Sequence, residues 1–151
     1  MRVFNQLSIM KIAFASDHAG YEMKVKLMEY LKEKGYQLVD LGSYSSQCTD
    51  YPDFGHELAR YVSGKKSDFG ISLCGSGNGI NMTSNKHPLI RSALCWNAEI
   101  AELARTHNDA NICALPGRFI TFEEAKQIVD RFLNASFEGG RHQRRIDKIP
   151  L

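Results

Sequence analysis

The sequence predicts an α/β fold in which a five-stranded, parallel, doubly wound (Rossmann-like) sheet forms the middle of three α/β/α layers. Three observations indicate this fold. Apolar runs of strand length alternate with stretches of helical period along the 151 residues. The strand-like runs are almost continuously hydrophobic, which is typical of parallel strands buried on both faces. No internal repeat or linker interrupts the alternation, so we expect a single domain over residues 10–151 after an extension of residues 1–9.

The strands are predicted from short apolar runs bounded by polar or glycine-containing segments. In order along the chain they are KIAFAS (11–16), YQLVDL (36–41), FGISLC (69–74), RSALC (91–95) and NICALP (111–116). Each run has the length and composition of a short buried strand.

Helices are predicted between these strands and after the last one. Met23, Leu27 and Leu31 place apolar side chains on one face of the first helix, which Gly35 ends. The second helix is expected to follow Pro52 and to run through Leu58 and Val62 to Gly64. The third starts inside the glycine-rich turn after residue 74, and the fourth covers about 98–106. The fifth begins at Thr121 and continues through Ile128 and Phe132. Two glutamates in the first turn of the last helix favour its dipole.

The composition argues against nucleic-acid and membrane partners. A net charge of +2 is too small to indicate a polyanionic partner. No apolar run approaches the roughly 18 residues that a membrane span requires. The first ten residues lack the sustained apolar block of a secretory signal, so we expect a cytoplasmic protein.

The four cysteines are Cys48, Cys74, Cys95 and Cys113, and no two of them have C-x-x-C spacing. This argues against a zinc ribbon and against a thiol–disulfide redox motif. Three of them lie in or at the end of apolar runs, where free cysteine packs as a small hydrophobe. The sequence has no metal-ligand spacing, and we expect neither a metal nor another cofactor.

Chemically reactive side chains and glycines gather in the loops that follow predicted strands one, two, three and five. They are Asp17 and His18, then Tyr51, then the run 74–79, and finally Gly117 and Arg118. The carboxyl ends of parallel strands share one edge of the sheet, where ligands bind in folds of this type. His107, Asn108 and Asp109 precede strand five instead, so they reach that edge only if their loop folds across or a second chain supplies them.

The glycine-rich turn CGSGNGI (74–80) is either a structural connection or a cradle for an anion. It is not a Walker A loop, because no Gly-Lys-Ser/Thr follows, and Ile80 stands where a G-x-G-x-x-G motif has its third glycine. The spacing alone fits both interpretations equally. Its place between a strand and a helix favours a cradle for a phosphate or a developing oxyanion.

Cys74, just before this turn, has three possible interpretations. A buried structural thiol is the commoner fate of a cysteine at a strand end. If the helix dipole lowers the pKa of the thiol from about 8.5 toward neutrality, the thiolate becomes a nucleophile or a base. A nucleophile would pair with a histidine, as in a thiol hydrolase built on Cys74 and His107, whereas a base would stand beside an oxyanion hole. Because the glycine-rich turn directly follows Cys74, the order of residues favours a base over a nucleophile.

The acidic and histidine candidates each have a structural alternative. Asp17 is a favoured N-cap for the helix that follows, and His107 is also interpretable as an ordinary side chain at a helix end. His56 and His87 have no evident partners in the sequence, and we interpret them as surface residues.

A short basic cluster near the C-terminus contains Arg141, His142, Arg144 and Arg145. Most such clusters are solvated tails. At i and i+4 of a helix, however, Arg141 and Arg145 would share a face and could clamp one phosphate.

Taken together, these residues resemble a known family. The chain is similar to the type B ribose-5-phosphate isomerases, in the group that also holds the galactose-6-phosphate and allose-6-phosphate isomerases. The resemblance extends from about residue 10 to residue 149. Its motifs, in order, are SDHAG (16–20), TDYPDF (49–54), CGSGNGI (74–80), NK (85–86), RTHNDAN (105–111) and EGGRHQRR (138–145).

The resemblance implies an aldose–ketose isomerase and a role for each candidate. Cys74 becomes the base that moves a proton between C1 and C2, and Ser76 moves the hydroxyl protons. Asp17 and His107 become the groups that open the furanose ring. The amides that would hold the enediolate belong to residues 75–79, including Gly75, Gly77, Asn78 and Gly79. The implied substrate contacts are His18, Arg118, Arg141 and Arg145 for the phosphate and Tyr51 and Asn108 for the sugar hydroxyls.

The resemblance also implies a homodimer with shared active sites, and a dimer of dimers stays open. The expected reaction interconverts D-ribose 5-phosphate and D-ribulose 5-phosphate through an enediolate. An isomerase of a six-carbon sugar phosphate, allose 6-phosphate or galactose 6-phosphate, is the nearest alternative. A noncatalytic nucleotide- or polyanion-binding module is the alternative of another class.

Overall fold

The computed structural model describes residues 8–151, in which five strands alternate with five α-helices and a sixth helix lies in the C-terminal segment. The strands are β1 (Lys11–Ser16), β2 (Gln37–Asp40), β3 (Phe69–Cys74), β4 (Ser92–Leu94) and β5 (Ile112–Pro116). The helices are α1 (Tyr21–Glu33), α2 (Tyr51–Ser63), α3 (Asn78–Ser84), α4 (Ala98–Thr106), α5 (Phe122–Asn134) and α6 (Arg141–Ile146), and a short 3-10 turn over His18–Gly20 joins β1 to α1.

The five strands form one parallel sheet in the order β2-β1-β3-β5-β4, which confirms the predicted fold class. From β1 the chain first adds β2 on one side and then β3 on the other, so the strand order reverses between β1 and β3. Ligands bind beyond the carboxyl ends of the strands at such a point. Ser16 pairs with Leu73 near the end of the β1–β3 ladder, which places Asp17 and Cys74 side by side at this edge.

Hydrophobic clusters cover both faces of the sheet and produce the predicted three layers. Ile12 and Phe14 pack in the cluster formed with α1, α4 and α5, whereas the alternate residues Ala13 and Ala15 pack in the cluster formed with α2. Because successive side chains of a strand point to opposite faces, an all-apolar strand supplies both clusters. Each large core side chain that is fully buried contributes about 1.5–3 kcal/mol.

The predicted boundaries are correct for β1, β3 and α4, and they are too long for β2 and β4. These two strands lie at the two edges of the sheet, where each has a single neighbour and the ladder is short. Helix α5 begins with a capping box, in which Glu124 N–H donates to Thr121 Oγ1 at 3.1 Å and Thr121 N–H donates to Glu124 Oε2 at 2.7 Å.

The first described residues and the C-terminal segment differ in their contacts with this core. Residues 1–7 of the predicted extension lie outside the described residues, and the adjoining Ser8 and Ile9 are exposed. Near the other end, Glu138 N–H donates to Thr106 O at 3.0 Å, which ties the segment before α6 to the end of α4. Over residues 8–151, no helix is both long enough and apolar enough to span a bilayer.

Candidate active site

Asp17 follows β1 and is 5% exposed. Its Oδ1 accepts hydrogen bonds from Ala19 N–H at 2.9 Å and Gly20 N–H at 3.1 Å, so it caps the short 3-10 turn, whereas the N-cap of α1 itself is Gly20. Its own N–H donates to Leu73 O at 3.2 Å. The carboxylate is therefore held rigidly at the edge of the sheet, next to the end of β3.

His18 joins the loop after β1 to the loop after β2. Its N–H donates to Thr49 Oγ1 at 3.1 Å, and its Nδ1 lies 3.2 Å from both the N and the O of Thr49. When Thr49 N–H donates to Nδ1, the neutral ring carries its proton on Nε2. His18 Nε2–H is then a hydrogen-bond donor at the partly buried edge of the site, and a bound anion requires such a donor.

A buried lysine supports this edge from behind. Lys24 is fully buried, and its Nζ donates to Asp40 Oδ1 at 2.6 Å and to Ser43 O at 2.5 Å. Burial lowers the pKa of Lys24 despite the neighbouring Asp40 carboxylate. Ser43 N–H in turn donates to Ser16 O at 2.7 Å, so the lysine braces the loop that adjoins Asp17.

The glycine-rich turn begins at Cys74, which is 4% exposed in the single chain. Gly77 has φ +76°, and a Cβ there would lie 2.5 Å from Leu94 Cδ1 and 3.0 Å from the backbone of Leu115. A glycine is therefore required for both conformation and space. This packing draws the turn tightly over the ends of β4 and β5 and leaves the Cys74 sulfur at its start.

Tyr51 and Arg118 flank the turn. A Cβ at Gly79 would lie 2.5 Å from the Tyr51 ring, so the ring packs directly on this glycine. Arg118 N–H donates to Gly75 O at 3.0 Å, and a Cβ at Gly75 would lie 3.4 Å from Arg118 Nη1. The guanidinium group thus brings a positive charge to the turn next to Cys74.

Ser76 already occupies one of the amides assigned to the anion cradle. Its Oγ accepts a hydrogen bond from Asn78 N–H at 3.2 Å. The expected oxyanion hole of residues 75–79 is therefore reduced at Asn78 unless the Ser76 hydroxyl turns toward the ligand. Helix α3, which follows, has only seven residues.

His107 and Asn108 belong to a separate loop that two arginines hold in shape. Arg105 Nη1 donates to Asp109 Oδ1 at 2.9 Å and to Ala110 O at 2.7 Å. Arg91 Nε donates to Asn108 O at 2.9 Å, and its Nη2 donates to Asp109 O at 2.9 Å. Asp109 adopts φ +46°, and this network stabilises the sharp turn.

This loop lies at the edge of the sheet opposite Cys74. Cys74 is aligned with Pro116, whereas Gly70 N–H donates to Asn111 O at 2.9 Å at the other end of the β3–β5 ladder. The four residue steps from Gly70 to Cys74 span about 13 Å at roughly 3.3 Å per step. A single chain therefore does not bring His107 and Asn108 to the thiol.

The basic C-terminal segment lies on the His107 side. His142 is 7% exposed, so it does not share the solvent exposure of the arginines around it. Its ring stacks on the His107 ring, with centroids 4.2 Å apart and an interplanar angle of 13°. Arg141 and Arg145 are exposed at i and i+4 of α6 and form no ion pair with any residue from 8 to 151.

Burial, His107 and Arg141 together lower the pKa of His142, while Glu138, whose Oε2 lies 3.5 Å from His142 Nε2, opposes the shift. His107, Glu138 and His142 place potential ligand atoms within 4.8 Å of one another, which sequence spacing did not predict. Imidazole lone pairs lie in the ring planes, and two nearly parallel stacked planes do not meet at one ion. In this arrangement the two rings are not oriented to bind one metal ion.

The interpretation of His56 and His87 as surface residues without partners is also wrong. His56 Nδ1 lies 2.8 Å from His87 Nε2, and the ring centroids are 5.1 Å apart. Burial, followed by His56 and Arg60, lowers the pKa of His87. The pair joins α2 to the segment after α3.

Sequence reasoning missed the residues that brace the two loops, because their partners are distant in the chain. Arg91 and Asp109 are 18 positions apart, and Thr49 and His18 are 31 apart. Only Arg105 and Asp109 carried a local signal, since oppositely charged residues at i and i+4 pair on a helix end.

Comparison with known proteins extends these observations. The family model described as Ribose/Galactose Isomerase matches residues 12–149. The chain is 43% identical over 139 residues to ribose-5-phosphate isomerase B of Escherichia coli, covering 92% of this chain and 93% of that protein. It is 47% identical over 140 residues to a probable ribose-5-phosphate isomerase B of Mycoplasma genitalium, covering 91% and 92% of the two chains.

Solved structures agree in fold over the same length. A ribose 5-phosphate isomerase from Thermotoga maritima has a TM-score of 0.92 at 49% identity, with 93% of this chain and 97% of that chain covered. Ribose-5-phosphate isomerase B from Mycoplasma genitalium, solved with bound ribulose-5-phosphate, has a TM-score of 0.87 at 46% identity and 93% coverage of both chains.

Proposed function

The chain belongs to the ribose/galactose isomerase family, and we propose that it interconverts D-ribose 5-phosphate and D-ribulose 5-phosphate. The position of Cys74 carries the proposal. Its thiol lies at the β1–β3 switch point beside Asp17 and opens a glycine turn flanked by the Arg118 guanidinium. The Mycoplasma genitalium relative with bound ribulose-5-phosphate supports a sugar phosphate as the ligand.

The proposed chemistry is a proton transfer through an enediolate. The Cys74 thiolate removes the C2 proton of the open-chain aldose, and the electron pair moves to O1. Ser76 passes the O2 hydroxyl proton to O1, and the thiol returns its proton to C1, which yields the ketose. A positioned base contributes about 10²–10⁴ in rate, and each oxyanion donor about 3–4 kcal/mol. These steps use protein groups alone.

The residues around the thiol suit the two ends of the substrate. We assign the phosphate to His18 and Arg118 on this edge and to Arg141 and Arg145, whose exposed guanidinium groups share one face of α6. Tyr51, packed on Gly79, borders the sugar.

Two chains are needed to complete this site. Cys74, Asp17 and the glycine turn lie at one edge of the sheet, whereas His107, Asn108 and the arginines of α6 lie at the other. We therefore propose a homodimer in which His107 of the partner subunit opens the furanose ring and Asn108 of the partner subunit binds a sugar hydroxyl. Whether dimers pair further is a separate question of assembly.

The proposed location is the cytoplasm. All four cysteines fall within the described residues, and none forms a disulfide. Free thiols are typical of a reducing compartment.

A coupled isomerase assay with ribose 5-phosphate tests the proposed function. Cys74→Ala is expected to lose about 10³-fold in kcat, within the range for a catalytic base. The matched control is Cys48→Ser, because Cys48 is an exposed thiol outside the site. Full activity of Cys74→Ala would refute the assignment of Cys74 as the catalytic base. Faster turnover of allose 6-phosphate or galactose 6-phosphate than of ribose 5-phosphate would show that the substrate is a six-carbon sugar phosphate.

A further inference from the structure

His107 has a well-fixed backbone and a poorly fixed side chain. It caps the C-terminal end of α4, its N–H donates to Leu103 O at 2.9 Å, and Arg91 and Arg105 hold the turn that follows. Within residues 8–151, however, no hydrogen bond holds its ring, which is only partly buried. A proton donor at a sugar ring oxygen needs a defined orientation, and a misplacement of about 1 Å can cost on the order of 10²-fold in rate.

The ring of His142 supplies that orientation. It lies flat against the His107 ring at 4.2 Å and is itself 93% enclosed by the protein, so it forms a fixed wall on one side of His107. Glu138 lies next to this wall. Its carboxylate lies 3.5 Å from His142 Nε2, and its backbone N–H donates to Thr106 O at 3.0 Å, next to His107 in the chain.

The charge state of the His142 ring favours the same stacked arrangement with His107. Burial, the neighbouring His107 and Arg141 lower the pKa of His142, so this ring stays neutral near neutral pH. A neutral ring stacks on His107 without repelling a proton that His107 carries. Two charged rings at 4.2 Å would repel each other.

We propose that His142 is a positioning residue whose buried ring, stacked on His107, holds the His107 imidazole in the orientation required for opening the sugar ring. This inference rests on the proposed isomerase function. His142 acts through His107 and touches neither the thiol nor the glycine turn, which lie at the other edge of the sheet.

A double-mutant cycle on kcat with ribose 5-phosphate separates this role from a general structural one. His142→Ala is expected to lower kcat about tenfold in the wild-type background, a fraction of the loss caused by His107→Gln. In the His107→Gln background the same change is expected to cost less than about twofold, because no oriented imidazole remains to be lost. His142→Phe, which keeps a flat ring for stacking, is expected to retain most of the activity.

Control variants distinguish a specific loss of kcat from a loss of folded structure. Arg144→Ala lies on the exposed face of the same helix and is expected to leave kcat unchanged. Glu138→Gln keeps the size of an exposed side chain and is expected to lower kcat less than His142→Ala does. Thermal unfolding of each variant reports whether α6 stays docked.

Two outcomes would overturn the proposal. An equal fall in kcat on adding His142→Ala to both backgrounds would show that His142 contributes independently of His107. An unchanged kcat in the single His142→Ala variant would show that the stack has no role. Failure of the wild-type protein to turn over ribose 5-phosphate would instead refute the proposed function, so the two failures are distinguishable.

Discussion

Two inactive variants of this protein are expected to restore activity when they are mixed. Cys74→Ala removes the proposed base at one edge of the sheet, and His107→Gln removes the proposed ring-opening group at the other edge. In a dimer with shared sites, one of the two sites of a mixed dimer combines the intact Cys74 of one chain with the intact His107 of the other. The second site carries both defects.

The expected magnitude follows from the geometry. About 13 Å of strand separates the end of β3 from the edge that carries the His107 loop, whereas a hydrogen bond spans about 3 Å, so one chain cannot supply both groups to one substrate. Random association of equal amounts gives half mixed dimers with one intact site each. The mixture should therefore reach about a quarter of the wild-type activity.

The assay is steady-state turnover of ribose 5-phosphate after the two variants have been denatured and refolded together. A matched control mixes Cys74→Ala with Ser76→Ala, because both residues belong to the same edge and no mixed site is intact. Activity of the first mixture that does not exceed the mean of its two components would refute the shared site. Recovery in both mixtures would show that the activity does not depend on which edge carries the change.

Three further predictions test the packing, the phosphate contacts and the acid stability. Gly77→Ala is expected to destabilise the protein by about 2–4 kcal/mol, because it combines a positive φ with a Cβ contact of 2.5 Å, whereas Gly139→Ala has a positive φ and open space and should cost only about 1–2 kcal/mol in thermal or urea unfolding. Equal losses in the two variants would mean that the contact with Leu94 has no effect. Arg141→Ala is expected to raise KM for ribose 5-phosphate about tenfold to a hundredfold in initial-rate measurements, since a charge-assisted contact is lost, and an unchanged KM would remove this residue from the phosphate site. The pKa values of His87 and His142 are lowered from 6.5 in the folded protein, so the unfolded chain binds more protons below that pH. The part of the free energy of unfolding that these histidines contribute should be fully present above pH 6.5 and should fall as the pH drops below it. Thermal unfolding of His87→Gln should show a weaker fall with pH than the wild type. An identical pH dependence in the variant would contradict this cause.

The sequence was sufficient to predict the elements whose burial is continuous or whose ends are chemically marked. Strands β1 and β3 are central and apolar throughout, so their limits coincide with the limits of the hydrophobic runs. Helix α4 and the start of α5 follow local capping residues, Asn97 and Thr121. The edge strands β2 and β4 were predicted too long, because hydrophobicity does not reveal how many neighbours a strand has.

The sequence could not predict which polar side chains the fold would bury. His142 lies between arginines in the chain and still packs inside against His107, since its helix turns that single face inward. His56 and His87 are 31 positions apart and meet only because α2 and α3 pack together. Such contacts depend on tertiary packing, which local residue patterns do not encode.

The division of the site between two edges was visible in outline from the sequence. The loops after β1, β2, β3 and β5 had to share the carboxyl edge in any parallel sheet, whereas the loop of His107 precedes β5 and could reach that edge only by folding across or from a second chain. The structure adds how each group is held, from the Thr49 contacts of His18 to the arginine network around Asp109.

The most direct test of the account is the exchange of the C1 protons of ribulose 5-phosphate with deuterium from solvent, followed by nuclear magnetic resonance. This ketose has its O5 esterified and cannot close a furanose ring, so the exchange requires the base and not the ring-opening group. The account predicts exchange by the wild type and by His107→Gln, and none above background by Cys74→Ala. Exchange by Cys74→Ala at the wild-type rate would show that another group removes the proton.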